Sequence, residues 1–142
     1  AMSDEFKAYA RQVLVNSKTL ATSLINRQAS LVTGGTDNHM MVIDTVKSYG
    51  LDGKVAEETL DKVNITTNKQ IIPDDPNPPL RPSGIRIGTP AATARGMREE
   101  QMQQLADWLD RCLRSPEDED TISSIREELV EFCAAYPVPG IE

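Results

Sequence analysis

Between Pro73 and Pro82 the chain places five prolines in ten residues, Pro73-Asp74-Asp75-Pro76-Asn77-Pro78-Pro79-Leu80-Arg81-Pro82. Proline has a fixed φ and no backbone N–H, so neither a helix nor a sheet ladder can run through this stretch. It reads as a stiff extended connector, and more simply as a surface loop than as a peptide-docking motif. The fold must therefore be assembled from the segments on either side.

Upstream, Phe6, Tyr9, Ala10, Val13, Leu14, Leu20, Ala21, Leu24 and Ile25 recur at three- and four-residue steps, which predicts a long amphipathic helix over residues 4–27. Asp4 and Glu5 suit its first turn. Its upstream end would be exposed unless something else packed there. Ser30-Leu31-Val32-Thr33 reads as a short strand stopped by Gly34-Gly35, and His39–Asp44 as a second. The apolar run Met40–Ile43 implies burial on both faces, or helices over one of them. Asp52 is a plausible N-cap for a helix with Val55, Ala56, Leu60 and Val63 inward. Asn64–Asn68 reads as a weak polar strand.

Downstream, Met102, Leu105, Ala106, Leu109, Cys112 and Leu113 mark one helix, broken at Ser115-Pro116. Ile122, Ile125, Leu129, Phe132 and Cys133 mark another, ended by Tyr136-Pro137, with the acidic run Glu117–Asp120 as its first turn. Short antiparallel strands between such helices predict an α+β two-layer sandwich, a small sheet covered by helices. At 142 residues one domain is expected, with the helix of residues 4–27 leading into a sandwich over residues 30–137.

A formal net charge of −7, with two Phe, three Tyr and one Trp, argues against a nucleic-acid or anionic-membrane surface. No apolar run approaches the length of a membrane span. Two lone cysteines and a single histidine supply no zinc-type ligand set, and a reducing, cytoplasmic setting is expected.

Ser83-Gly84-Ile85-Arg86-Ile87-Gly88-Thr89-Pro90 reads as a strand with one charge at its centre. Alternation puts Ile85 and Ile87 on one face and Arg86 on the other, where Gly84 and Gly88 leave the strand bare on both sides of it. A guanidinium so placed suits a planar anion such as a carboxylate. The plainer alternative is a solvated arginine on an edge strand.

Other candidates weigh less. Gly34-Gly35-Thr36-Asp37-Asn38-His39 runs into a strand, so it reads as a tight turn and not as a phosphate cradle. His39 could act as a base oriented by Asp37, but no nucleophile is supplied nearby and a structural histidine is preferred. Cys112 and Cys133 fall on apolar stripes as core residues. Lys69 would need burial to serve as a Schiff-base amine. Gln70 carries a paired donor and acceptor able to read a heterocycle edge, though a surface glutamine is the default. The residues by themselves give one anion clamp, no catalytic set and no metal site.

Val32–His39, Leu51-Asp52-Gly53-Lys54, Asn64–Lys69, Ser83–Ala91 and Arg95-Gly96-Met97, in this order, resemble the C-terminal domain of the serine (glycine) hydroxymethyltransferases. The resemblance runs from about Glu5 to Pro137 and implies the small domain of the aspartate-aminotransferase-like fold (fold type I). In that family the full enzyme uses pyridoxal phosphate to interconvert serine and glycine, passing a one-carbon unit to or from tetrahydrofolate. Arg86 matches the arginine that binds the amino-acid carboxylate. Gln70 stands where the family usually has an asparagine that contacts the folate pterin. The cofactor's lysine, its pyridine-nitrogen aspartate, its ring-stacking histidine and its phosphate ligands belong to a large N-terminal domain without counterpart here. The resemblance therefore implies a fragment that binds no cofactor by itself, is inactive alone, and belongs to a dimeric or tetrameric enzyme. A stand-alone binding or regulatory module is the alternative.

Overall fold

The computed structural model describes residues 3–32 and 39–136. Helix α1 (Asp4–Asn26) is followed by strand β1 (Met40–Asp44), short helix α2 (Thr45–Tyr49), helix α3 (Gly53–Asp61) and strands β2 (Asn68–Gln70) and β3 (Gly84–Gly88). Short helix α4 (Pro90–Ala94) and helices α5 (Glu99–Arg114) and α6 (Glu119–Ala134) complete the chain. No helix among the described residues is long and apolar enough to cross a membrane.

The strands form one antiparallel sheet in the order β1-β3-β2, so the last strand in sequence lies in the middle. Met41 pairs with Ile87 and Ile43 with Ile85, which puts all four on one face. They join one buried cluster with Leu20 and Leu24 of α1, Leu60 of α3, and Met102 and Leu109 of α5. Each such side chain contributes roughly 1.5–3 kcal/mol by leaving water. Among the described residues this face packs the sheet against its helices. Met40, Val42, Asp44, Arg86, Asn68 and Gln70 occupy the other face and are exposed or partly so. Of the two readings of the Met40–Ile43 run, helices over one face is the observed one. The α+β two-layer sandwich is the architecture formed.

Helix α1 starts where the Ser3 hydroxyl accepts from the Phe6 N–H at 3.1 Å. Its inner side buries Val13, Leu20, Ala21 and Leu24, while Phe6, Leu14, Val15 and Ile25 stand exposed on the outer side. Asn16, wholly buried, ties α1 to the segment after β3. Its amide donates to Thr93 Oγ1 (2.8 Å) and to the Met97 carbonyl (2.9 Å), and its oxygen accepts from Gln12 (2.8 Å). Thr89 Oγ1 adds a bond to the Val13 carbonyl at 3.0 Å. A buried polar cluster satisfied in this way fixes a unique packing.

Several expected boundaries shift. The polar strand expected over Asn64–Asn68 does not form; pairing begins only at Asn68. Asn64 takes a left-handed conformation (φ 66°) and helps close the end of α3, where the Ile65 N–H donates to the Leu60 carbonyl at 3.0 Å. The strand expected at Ser30–Thr33 reduces to one bridge, Leu31 to Ile43; Thr33 and the Gly34–Asn38 turn lie outside the described residues. Helices α2 and α4 were not anticipated. The first is bounded by the Asp44 carboxylate, which accepts from the Lys47 N–H at 3.0 Å, and by Gly50 at φ 71°. The second opens on Pro90, a favoured first helical residue.

Candidate functional site

Arg86 lies at the middle of the central strand, opposite Val42 on one side and Asn68 on the other. An edge-strand arginine is therefore excluded. Its side chain points away from the buried cluster, is exposed, and has no hydrogen-bond or ion-pair partner among the described residues. A guanidinium with its whole donor fork free can take a carboxylate through two parallel bonds.

Gly84 and Gly88 flank it, and the strand itself is bare there as expected. Neighbouring elements, however, close over both glycines. A Cβ at Gly84 would stand 2.9 Å from Ile72 Cγ2 and 3.0 Å from the Ile43 carbonyl oxygen. At Gly88 it would stand 3.0 Å from the His39 carbonyl oxygen and 3.2 Å from Met40 Cγ. The glycines thus admit close packing by Ile72 and Met40, two residues to either side of the arginine along the strand.

Gln70 pairs with Gly84, so it shares the Arg86 face and is its diagonal neighbour, about 7–8 Å away between Cα atoms. Its amide nitrogen donates to the Ile71 carbonyl at 3.1 Å. A shallow depression of about 380 Å³ beside it is lined by Asn68, Ile71, Pro79 and Pro82 among others; Arg86 does not line it. The sheet register thus brings the two binding candidates onto one face.

The remaining candidates separate from this face. Lys69 points to the opposite side, exposed, with its ammonium 3.7 Å from Glu57. All other described lysines are likewise exposed or only half-buried, so none offers the desolvated amine that a Schiff base needs. No lysine of this chain therefore fits the amine that would link pyridoxal phosphate. His39 is exposed, and its suggested partner Asp37 lies outside the described residues. Cys112 is buried, and burial pushes its thiol up to about 11, as suits a core residue; Cys133 is half-buried and free.

Two residues carry more than the sequence reading gave them. Asp75 organises the proline loop through four hydrogen bonds. Arg95 caps the end of α6 by donating to the carbonyls of Tyr136 and Cys133. The signal for the first was an Asp-Pro turn, for the second only membership of the Arg95-Gly96-Met97 motif.

Residues 1–109 match the family described as serine hydroxymethyltransferase. The chain is 47% identical over 138 residues to a serine hydroxymethyltransferase of Koribacter versatilis, covering 97% of this chain and 32% of that protein. It is 46% identical over 138 residues to the enzyme so named in Alkalilimnicola ehrlichii, covering 97% and 33%. With serine hydroxymethyltransferase 2 of Mesorhizobium japonicum it shares 43% identity over 141 residues, covering 99% and 32%. The chain spans about a third of the length of these curated relatives. It belongs to the serine hydroxymethyltransferase family, as a stretch of the size expected for the small C-terminal domain.

Proposed function

We propose that this chain is the C-terminal domain of a serine hydroxymethyltransferase and that Arg86 holds the carboxylate of the amino-acid substrate. The observation that supports the reading is an exposed arginine on the outer face of the central strand, with no partner among the described residues and with Ile72 and Met40 packed over the glycines two residues to either side. The complete enzyme would interconvert serine and glycine, with tetrahydrofolate as one-carbon carrier, and would act as a homo-oligomer. Pyridoxal phosphate would supply the electron sink, held by residues outside this chain. The chain's own part is placement. Two parallel bonds from Arg86 fix the carboxylate and hence the orientation of the bonds at the substrate's α carbon. Gln70, one diagonal step away, would meet the folate; its amide reaches further than an asparagine's.

The domain division follows from the same reading. The helix over residues 4–27 is the connector from the large domain, and residues 30–137 form the sandwich. The exposed Phe6, Leu14 and Val15 on α1 support a connector that packs against more chain than is present here.

Half a site binds weakly, because most affinity comes from enclosure. The purified chain mixed with pyridoxal phosphate, glycine and tetrahydrofolate should give the same visible absorption as the mixture without protein, and no turnover. Saturable turnover would overturn the placement reading. Calorimetric binding of glycine or a folate by the chain alone, lost in Arg86→Ala, would favour a stand-alone binding module instead.

A further inference from the structure

The loop that joins β2 to β3 contains five residues without a backbone N–H, Pro73, Pro76, Pro78, Pro79 and Pro82, so each short piece is stiff but few backbone hydrogen bonds can tie the pieces together. Two turn bonds, Asp75 N–H to the Ile72 carbonyl (3.2 Å) and Arg81 N–H to the Pro78 carbonyl (2.9 Å), are joined by one carboxylate that links the loop's ends. Asp75 Oδ1 accepts from the Asn77 N–H (2.9 Å) and from Ser83 Oγ (2.7 Å). Its Oδ2 accepts from the Ser83 N–H (2.9 Å) and the Ile72 N–H (3.3 Å).

Asn77 lies in the middle of the loop; the other donors come from its two ends. Ile72 follows Gln70 by two residues, and Ser83 precedes Arg86 by three. Ser83 is fixed on its far side as well, its carbonyl accepting from the Thr45 N–H (2.9 Å), Thr45 Oγ1 (3.0 Å) and the Val46 N–H (3.3 Å). With Ile72 drawn to Ser83, its Cγ2 lies over Gly84 on the face that carries Arg86. The donors keep the Asp75 carboxyl at about 2, well below the ordinary carboxylate range, so it stays charged near neutral pH.

We propose that Asp75 is a positioning residue: by tying Ile72 to Ser83 it holds the loop as a preformed wall over Gly84, beside both the Arg86 and the Gln70 positions. The inference rests on the substrate-binding role of Arg86 proposed above. Loss of the carboxylate releases Ile72 from Gly84 and opens the wall on both sides at once. A misplacement of about 1 Å is enough to change binding by an order of magnitude or more.

The test is steady-state kinetics on the complete enzyme carrying Asp75→Asn, which keeps the shape but sets an NH2 group against two of the four donors. KM for serine and KM for the folate should each rise between about tenfold and about a hundredfold. A merely structural role would lower the active fraction, so kcat would fall with both KM values unchanged; that result overturns the proposal. Should Asp75→Asn fail to fold, Ser83→Ala removes only the 2.7 Å bond and should raise both KM values by about two- to tenfold. Unchanged KM values in Ser83→Ala would then refute the role of Asp75. Arg86→Ala in the same enzyme keeps the two readings apart. If it raises the serine KM while Asp75→Asn and Ser83→Ala leave it unchanged, Asp75 alone is refuted. If Arg86→Ala leaves the serine KM unchanged, both readings fall.

Discussion

Gly53→Ala is the substitution for which local propensity and tertiary packing disagree most sharply. Gly53 is the first residue of α3, with no positive φ, and at a helical position alanine is favoured over glycine by roughly 0.5–1 kcal/mol. The surroundings reverse that preference. An alanine Cβ would stand 2.2 Å from the Gly84 carbonyl oxygen and 3.0 Å from that of Pro82, both backbone atoms. Relief needs about 1 Å of movement between the start of α3 and the start of β3, where the Gly53 N–H now donates to the Pro82 carbonyl at 2.6 Å. Overpacking of this kind costs about 1–3 kcal/mol. At roughly 3–5 °C per kcal/mol for a domain of this size, Tm should fall by about 3–15 °C, measured by circular dichroism with a matching shift in urea midpoint. Equal or greater stability in Gly53→Ala would refute the close approach of α3 to β3.

Asn16→Ala should cost roughly 2–3 kcal/mol in urea unfolding, because it leaves the buried Met97 carbonyl without its donor; a change under about 0.5 kcal/mol would contradict the cluster. The native pKa of Asp75 is depressed to about 2, so its stabilisation is complete above the ordinary carboxylate value near 4 and is lost as pH falls from about 4 to about 2. The stability difference between the native chain and Asp75→Asn should therefore be widest near neutral pH and shrink across that interval; a difference constant from pH 6 to pH 2 would count against the loop account. In native protein at pH 8 a thiol reagent should modify Cys133 and spare Cys112 until unfolding, as mass spectrometry would record; equally fast labelling of both would show that Cys112 is not buried as described.

What could be read from the sequence was what periodicity and local chemistry determine. The stripes of α1, α5 and α6, the Asp52 cap and the alternation around Arg86 each depend on residues a few positions apart, and all are present in the fold. Features that depend on partners distant in sequence were not legible. Nothing near Asn64 reveals that it will close α3 in a left-handed conformation and so delay pairing until Asn68. The short α2 could have been found from its Asp44 and Gly50 caps, but five residues carry too little periodicity to register. The Arg86 strand illustrates both sides. Alternation gave the arginine its face, while the reason for its glycines lies in Ile72 and Met40, drawn in from other elements. Likewise the position of Gln70 beside Arg86 is a matter of register between β2 and β3, which no local pattern sets.

The central claim is that Arg86 binds the substrate carboxylate, and serine kinetics on the complete enzyme with Arg86→Ala tests it most directly. The side chain is exposed and has no partner among the described residues, so Tm of the domain should move by no more than about 2 °C. With the fold intact, kcat/KM for serine should fall by about 30-fold or more, the cost of removing one side of a desolvated charge pair. An unchanged kcat/KM in a folded Arg86→Ala enzyme would contradict the account.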